Sequence, residues 1–436
     1  MNYKLLKPGQ LCNHFPNNQE LTTKTGLARN LLRLTDYEWN QEQWFPRCYD
    51  FTDQRQIDGF LADYKKTSVV NYIKRHAIYF KHIHHREIKK LKKEIAKGDT
   101  WKKRAKLKYK SIYLTAEGSY KHVVNIKMLK IAITFLKYQI KSRAGTLDEN
   151  AEDGWRGSKV IIKLSQCKGP PYDVNVLKEA LNIVSEGWDI PSLYFEYKII
   201  ARVQKYNTVY PQSKIDGVEN IWIVKPSFSS RGIGVHCING SKDELAPGKK
   251  VQAKVIQKYI ERPFLLLLPG PRGKLEKRKF DIRQWVLVTS INPLIVYMFN
   301  SCYLKICGSE FSLRDFKDKY KHISNFSIQK NNQRINKIND LIMNVEQFIA
   351  HLKEHYNIKL DWEKDMLPKL GDIVKATIYS GSDVIKHKDN CFELYGFDFV
   401  LDHNLNPWLI EVNLSPACKK RTTWLSEMLS KFCSKV

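Results

Sequence analysis

No apolar run in these 436 residues approaches the roughly 18 that a membrane helix needs. The longest runs, FLLLLP and PLIVYMF, read as strands. The opening MNYKLLKPGQLCNHF lacks the long apolar core of a secretory signal, so a cytoplasmic location is expected. The nine cysteines are scattered without a CxxC pair, which speaks against a zinc ribbon or a disulfide framework and for reduced thiols. No internal repeat is present. A P-loop is missing, because no GKS or GKT follows the chain's small glycine loop, and the Rossmann glycine spacing is missing too.

Acidic residues are scarce where basic ones crowd. The formal net charge is +28, and between Lys65 and Lys110 there are 17 Lys/Arg against 3 Asp/Glu. Such a segment suits a polyanion: a nucleic acid, an anionic membrane surface or an acidic protein tail. The plainer alternative is a solvated charged helix. Residues from about 68 to 143 read as basic helices, including NYIKRHAIYFKHIHHREIKKLKKEIAKG and VNIKMLKIAITFLKYQIKS. His82, His84 and His85 lie among Lys and Arg, which repel a cation, so they are assigned no metal. AGTLDENAEDGWRGS is polar and acidic and reads as a linker. The first 60 residues mix apolar, aromatic and turn residues, as a folded segment does.

From about Glu219 the pattern changes to sheet. IWIVKP, KVIQKYI, KFDIRQWVLVTS and PLIVYMFNSCYLKIC read as strands, with NP as the turn between the last two. LIMNVEQFIAHLKEHY has apolar residues at helical spacing, and LPKLGDIVKATIYSGSDVI reads as a second helix. FELYGFDFVLDHNLNPWLIEVNLSPA reads as strand, turn, strand. Many strands mixed with helices predict an α+β or α/β architecture.

Both strands of that last stretch carry an acid. If LIEVN is extended, Glu411 and Asn413 share a face, and a hairpin partner GFDFV can bring Asp398 to it. Two carboxylates and an amide oxygen form a hard, all-oxygen site suited to magnesium. The alternative is that Asp398 and Glu411 pair with buried Arg or Lys. Other motifs bear on the choice. SSRGIGV lets backbone N–H groups approach phosphates, with Arg231 as a fork and Lys225 as a second cation, although taken alone the glycines are better explained by a tight hairpin turn. KFDIRQW places Lys279, Asp281 and Arg283 on one face and Phe280, Ile282 and Gln284 on the other. YLKIC adds Lys305, and SNFSIQK adds Asn325, Ser327 and Lys330. Cations, a glycine loop and magnesium-type acids within one span are what phosphoryl chemistry on a nucleotide requires.

In this order, WIVKP, SSRG.G, VIQKYIERP, KFDIRQW, NPL, FSL, H.SN.SIQK, FELYGFDFVLD and WLIEVNLSPA resemble the tubulin tyrosine ligase-like family. The similarity runs from about Glu219 to Ala417, and LTTKTGLARNL and FPRCYDF resemble the N-terminal region of its glycine ligases. The resemblance implies an ATP-grasp-type core of mixed and antiparallel sheets sandwiching a nucleotide. It implies an N-terminal region over 1–150 for tubulin recognition, a linker and helical segment over 151–218, a central subdomain over 219–278 and a C-terminal subdomain over 279–436. Lys225, Arg231 and Gly232 are similar to the residues that hold ATP phosphates. Gln257, Lys258, Tyr259 and Ile260 resemble the adenine hinge, and Lys279, Phe280, Asp281 and Asn325 further nucleotide contacts. Arg283 and Lys305 resemble catalytic cations facing phosphate or the substrate carboxylate. Arg231 and Ser327 would meet the incoming amino acid, and Asp398, Glu411 and Asn413 would ligate magnesium, two ions being expected.

The chain departs from the family pattern in places. SRGIG stands where the family has SRGRG, Lys305 stands where Arg is frequent, and Phe326 replaces a polar residue usual in glycylases. The implied activity is ATP-dependent addition of glycine to side-chain carboxylates of glutamates in tubulin tails through an acyl phosphate. Glutamate addition is the rival within the family, and a non-catalytic microtubule- or RNA-binding protein the rival outside it. The expected partners are tubulin and free glycine, with no DNA and no membrane. A monomer acting on microtubules of the cytoskeleton, in cilia and axonemes, is expected.

Overall fold

The computed structural model describes residues 9–34, 39–83, 126–144, 193–229, 231–240, 253–335, 337–418 and 421–434. Among these residues ten strands run in chain order: β1 Cys48–Asp50, β2 Trp222–Pro226, β3 His236–Ile238, β4 Lys254–Lys258, β5 Leu265–Pro269, β6 Leu275–Ile291, β7 Leu294–Ile306, β8 Ile342–Asn344, β9 Glu393–Leu401 and β10 Pro407–Leu414. They form two sheets. The smaller has the order β1-β4-β2-β3, and the larger β10-β9-β6-β7-β8 with β5 also paired to β6. Every pairing is antiparallel. By packing, Met1–Gly59 and Ile221–Val436 make one unit, and Phe60–Asn220 another.

The larger sheet is organised by β6. Phe280, Ile282, Val286 and Val288 face the main core, where Phe348, Leu352 and Ile373 meet them from the helices Val345–Tyr356 and Leu367–Gly381. The opposite face changes character along the strand. It carries Lys279, Asp281 and Arg283 first and Trp285 next, and Trp285 stacks on Phe432 of the helix Thr423–Cys433 at 5.4 Å. One face of one strand is therefore a charged wall at one end and an apolar floor at the other. Fully burying an aromatic such as Trp285 or Phe280 stabilises by about 1.5–3 kcal/mol.

Two expectations shift in detail. The helix read from LIMNVEQFIAHLKEHY begins at Val345, because Asn344 and Gln347 form a capping box, and Ile342–Asn344 pairs with β7 as an edge strand. Residues 1–150 do not stay together as one block, since the first 59 pack with the strand-rich unit. Cys12 bonds to both flanks of Cys391 (its N–H to Asn390 O and its carbonyl from Phe392 N, each 2.8 Å). The buried Glu393 carboxylate accepts from His14, from the Phe15 N–H and from Asn18. A buried acid needs such partners, and the N-terminal segment supplies all three.

The second unit contains the helix Gln54–Ile83 from Phe60 onward, Ile126–Arg143 and Leu193–Val209, with a core of Val69, Ile73, Leu129, Leu136 and Ile199. Most of the basic segment, with His84 and His85, lies outside the described residues, as does nearly all of the linker AGTLDENAEDGWRGS. The backbone of His82 is helical. No helix among the described residues is long and apolar enough to cross a membrane.

Candidate active site

A cleft of about 800 Å³ opens between the two sheets of the strand-rich unit. Its walls include Lys225, Arg231, Gly232, Gln257, Lys258, Tyr259, Ile260, Lys279, Asp281, Asn325, Asp398, Glu411 and Asn413. Residues nearly 190 positions apart in sequence thus share one concavity, because β2 and β4 face β6, β9 and β10 across it.

Lys225 is the penultimate residue of β2 and is 4% exposed. Its ammonium donates to Gln257 Oε1 at 2.7 Å and to the Ile410 carbonyl at 3.0 Å. Burial pulls its pKa down, and the charge of Glu411 opposes the fall. The glycine loop follows. Arg231 and Gly232 both have positive φ, 59° and 76°, so a side-chain residue at 232 would be strained as well as crowded by Ile328, Asn325 and Ile323.

On β6, Lys279 Nζ lies 2.6 Å from Asp281 Oδ1. Burial opposes the Lys279 charge, but Asp281 outweighs it and the pKa is raised. The other Asp281 oxygen accepts from Ser324. The thiol of buried Cys237 is pushed up to about 12 by burial, so it offers no nucleophilic thiolate.

Asp398 and Glu411 are direct cross-strand partners of the β9–β10 hairpin. They have different surroundings. Asp398 is 3% exposed and makes a fork with Arg283, Nε to Oδ1 at 2.6 Å and Nη2 to Oδ2 at 2.9 Å. Lys305 reaches Oδ2 at 2.9 Å, and Asn413 Nδ2 the same oxygen at 3.1 Å. Burial alone would raise the Asp398 pKa, but Arg283 and Lys305 hold it well below the usual carboxylate range. Gly396 permits this arrangement, since a Cβ there would lie 3.2 Å from Arg283 Cδ and 2.7 Å from Pro416. Glu411 is freer. Among the described residues its ion-pair partner is Lys24, 3.9 Å away, and its side chain is 20% exposed.

Oxygen capacity for a hard cation remains on this wall. Among the described residues Asp398 Oδ1 accepts from Arg283 Nε alone, whereas Oδ2 takes three donors. Asn413 spends its N–H groups on Gly396 O and Asp398 Oδ2, which leaves its oxygen turned elsewhere. With the Glu411 carboxylate, these oxygens are the donor chemistry that magnesium takes. Among the described residues no cluster of three or more His, Cys, Asp or Glu could hold a metal.

Four candidate residues lie off the cleft wall. Arg283 and Lys305 direct their charge at Asp398, because an unpaired carboxylate at that depth would be costly. Phe280 faces the core, 1% exposed and 5.4 Å from the Phe348 ring, since its neighbours Lys279 and Asp281 take the cleft side of an alternating strand. Ser327 donates to the Arg231 carbonyl at 2.7 Å and so tethers the glycine loop.

The cleft also holds residues that motif reasoning left without a role. Lys24 opens the helix Lys24–Arg33, lines the cleft and donates to the Ser229 carbonyl at 2.8 Å. It sits inside LTTKTGLARNL, but nothing in that string marks a lysine for the site. His322 lies in H.SN.SIQK. Ile223 and Val400 are two residues from Lys225 and Asp398, so strand alternation could have identified them. Ile410 required the bulge between Leu409 and Glu411, which turns two successive residues toward the cleft.

A family model described as the tubulin-tyrosine ligase family matches residues 162–436. A protein of Tetrahymena thermophila named tubulin glycylase 3E is 36% identical over 462 residues, covering 100% of this chain and 33% of that protein. A mouse protein named protein monoglycylase TTLL8 is 27% identical, covering 99% of this chain and 50% of its own length. A zebrafish (Danio rerio) protein named tubulin monoglycylase TTLL3 is 28% identical, covering 96% and 52%. The chain spans between a third and about half of the length of these relatives.

Proposed function

This chain belongs to the tubulin-tyrosine ligase family, and from that premise we propose that it is an ATP-dependent ligase joining glycine to glutamate side chains of tubulin. The observation that carries the reading is the single cleft in which Lys225, Lys279 and Arg231 face Glu411, Asn413 and Asp398 beside an apolar hinge at Tyr259–Ile260. Relatives named tubulin glycylases and monoglycylases support glycine as the amino acid. The ATP-grasp-like fold of the family supports ATP as the energy source.

In this reading the hinge and the apolar side chains Ile223, Val400 and Ile410 receive the base. Lys225 and Lys279 neutralise phosphate charge, with Arg231 and the glycine loop closing over it. Asp281, held by Lys279 and Ser324, faces the ribose. Glu411, Asn413 and Asp398 would hold magnesium, which supplies charge neutralisation on the phosphate oxygens when bound. The acceptor carboxylate oxygen takes the γ-phosphoryl group of ATP, with ADP leaving, and the glycine amine then attacks the acyl carbon, losing a proton and expelling inorganic phosphate to leave an isopeptide bond. The protein contributes positioning and fixed charge rather than a covalent group of its own. Arg283 and Lys305 act through Asp398, setting its carboxylate in place. The surplus of basic charge favours encounter with acidic tails, so microtubules of the cytoskeleton, cilia included, are the setting.

The test is incubation of the purified chain with microtubules, ATP and either labelled glycine or labelled glutamate. Incorporation of glycine alone is expected. Incorporation of glutamate alone would move the assignment to the rival ligase, and salt-sensitive RNA binding without ATP turnover would remove it from catalysis.

A further inference from the structure

His322 lines the cleft, is 3% exposed and has no part in the chemistry assigned above. Its partners define its state. Nε2 lies 3.2 Å from the Asp315 carbonyl, which can only accept, so Nε2 carries a hydrogen. Nδ1 lies 2.8 Å from the Tyr259 hydroxyl. Burial, helped by Lys279 and Lys321 and opposed by the Asp315 carbonyl and Asp318, pulls the ring's pKa down to about 4. The imidazole is therefore neutral near pH 7, Nδ1 is bare, and Tyr259 donates its hydroxyl hydrogen to it. Phe311 meets the imidazole edge-on at 5.3 Å and fixes its plane.

Tyr259 is held at three points as a result. Its phenol is bonded to His322, its N–H to the Ile221 carbonyl at 3.2 Å, and its carbonyl to Lys258 Nζ at 3.2 Å. Lys258 is anchored in turn by Glu261 at 2.6 Å, with both side chains fully buried. The next residue, Ile260, lines the cleft, and no hydrogen bond joins its backbone to any described residue. The first hinge backbone whose donor and acceptor have no partner among the described residues thus follows directly on a clamped tyrosine.

We infer that His322 is a positioning residue for base selection: through Tyr259 it holds the Ile260 backbone in one orientation, which matches the edge of adenine and opposes that of guanine. The physical basis is the reversal of pattern between the two purines. Adenine presents a donor at N6 beside an acceptor at N1, and guanine presents an acceptor at O6 beside a donor at N1. A rigid peptide edge accepts one and leaves the other with facing like groups. A hinge that can rock would discriminate less. This inference rests on the nucleotide reading of the cleft.

The experiment is equilibrium binding of non-hydrolysable adenine and guanine nucleoside triphosphate analogues to the full chain with magnesium present, with melting temperature as the folding control. The unaltered chain is expected to prefer the adenine analogue. His322→Ala should weaken adenine binding about tenfold and guanine binding far less, so that the ratio falls. His322→Asn keeps an acceptor near the Nδ1 position and should recover most of the preference, an outcome that a purely structural role would not require. Tyr259→Phe, which keeps the ring, should reproduce His322→Ala, and the double variant should be no worse than either alone. In turnover, the loss should fall mainly on KM for ATP. If His322→Ala does not fold, Tyr259→Phe decides. An unchanged adenine-to-guanine ratio in folded variants, or losses that add, would overturn the inference while leaving the nucleotide site intact. Failure of the unaltered chain to bind either analogue would overturn the nucleotide reading and this inference with it.

Discussion

Replacing Asp398 by Asn should unfold this protein more readily than replacing Glu411 by Gln, although the two acids face each other across one hairpin. Asp398 accepts four hydrogen bonds of 2.6, 2.9, 2.9 and 3.1 Å, three of them from the cations Arg283 and Lys305. All three side chains are largely buried, at 4%, 10% and 13% exposure. Removing one member of such a group leaves buried charge uncompensated and costs about 3–5 kcal/mol. That is a large part of a net stability of about 5–15 kcal/mol. Glu411 is nearer to solvent and, among the described residues, is ion-paired with Lys24 alone at 3.9 Å, so its neutralisation should change stability by about 1 kcal/mol or less. Urea unfolding of the two variants beside the parent chain, at pH 7, measures both costs. The pH dependence supplies a second reading. The folded pKa of Asp398 is depressed, so its contribution is fully present above the ordinary carboxylate pKa of about 3.9 and is lost as pH falls through the folded value. The gap between the parent and Asp398→Asn should therefore close below about pH 4. Equal stability of Asp398→Asn and the parent at pH 7 would refute the reasoning, as would a Glu411→Gln chain as unstable as Asp398→Asn.

Activity should divide the same residues differently. Glu411→Gln should abolish glycine incorporation in a chain that melts like the parent, and normal turnover by that variant would remove Glu411 from the site. Lys24→Met should leave unfolding nearly unchanged but lower ligation about tenfold, because Lys24 lines the cleft beside Glu411 and ties the loop through the Ser229 carbonyl. Gly232→Ala should cost about 1–2 kcal/mol for its left-handed backbone and weaken nucleotide binding measured by calorimetry. Microtubule co-sedimentation should fall as salt rises from low ionic strength, since a chain of net charge +28 depends on attraction to acidic surfaces.

Much of the candidate cleft lining was legible because its residues come in short ordered strings. Lys225 at the end of WIVKP, the Arg231–Gly232 loop and the Glu411–Asn413 pair need only strand alternation and glycine geometry to be recognised. The hairpin of FELYGFDFV with WLIEVN was equally readable, and its register sets Asp398 against Glu411. Strings do not say which atoms meet, however. Arg283 and Lys305 looked like cations awaiting phosphate, and they are spent on Asp398. Phe280 sat among nucleotide contacts in the motif and turned to the core, as period-two alternation requires of a residue between Lys279 and Asp281.

The sequence by itself determined most of the strands, the two core helices, the charge surplus and the family, because each is written in local periodicity, composition or an ordered set of motifs, whereas the short strands β1 and β8 were not among them. Only the tertiary structure decided that the first 59 residues join the strand-rich unit. Only it brought Lys24 beside Glu411, His322 beneath Tyr259, and the buried cations to Asp398. Those outcomes rest on packing and on satisfying buried polar groups between residues far apart in the chain, such as His14 with Glu393. Local pattern carries no record of that pairing, since any of several cations could meet the same acid until the core determines which of them is near.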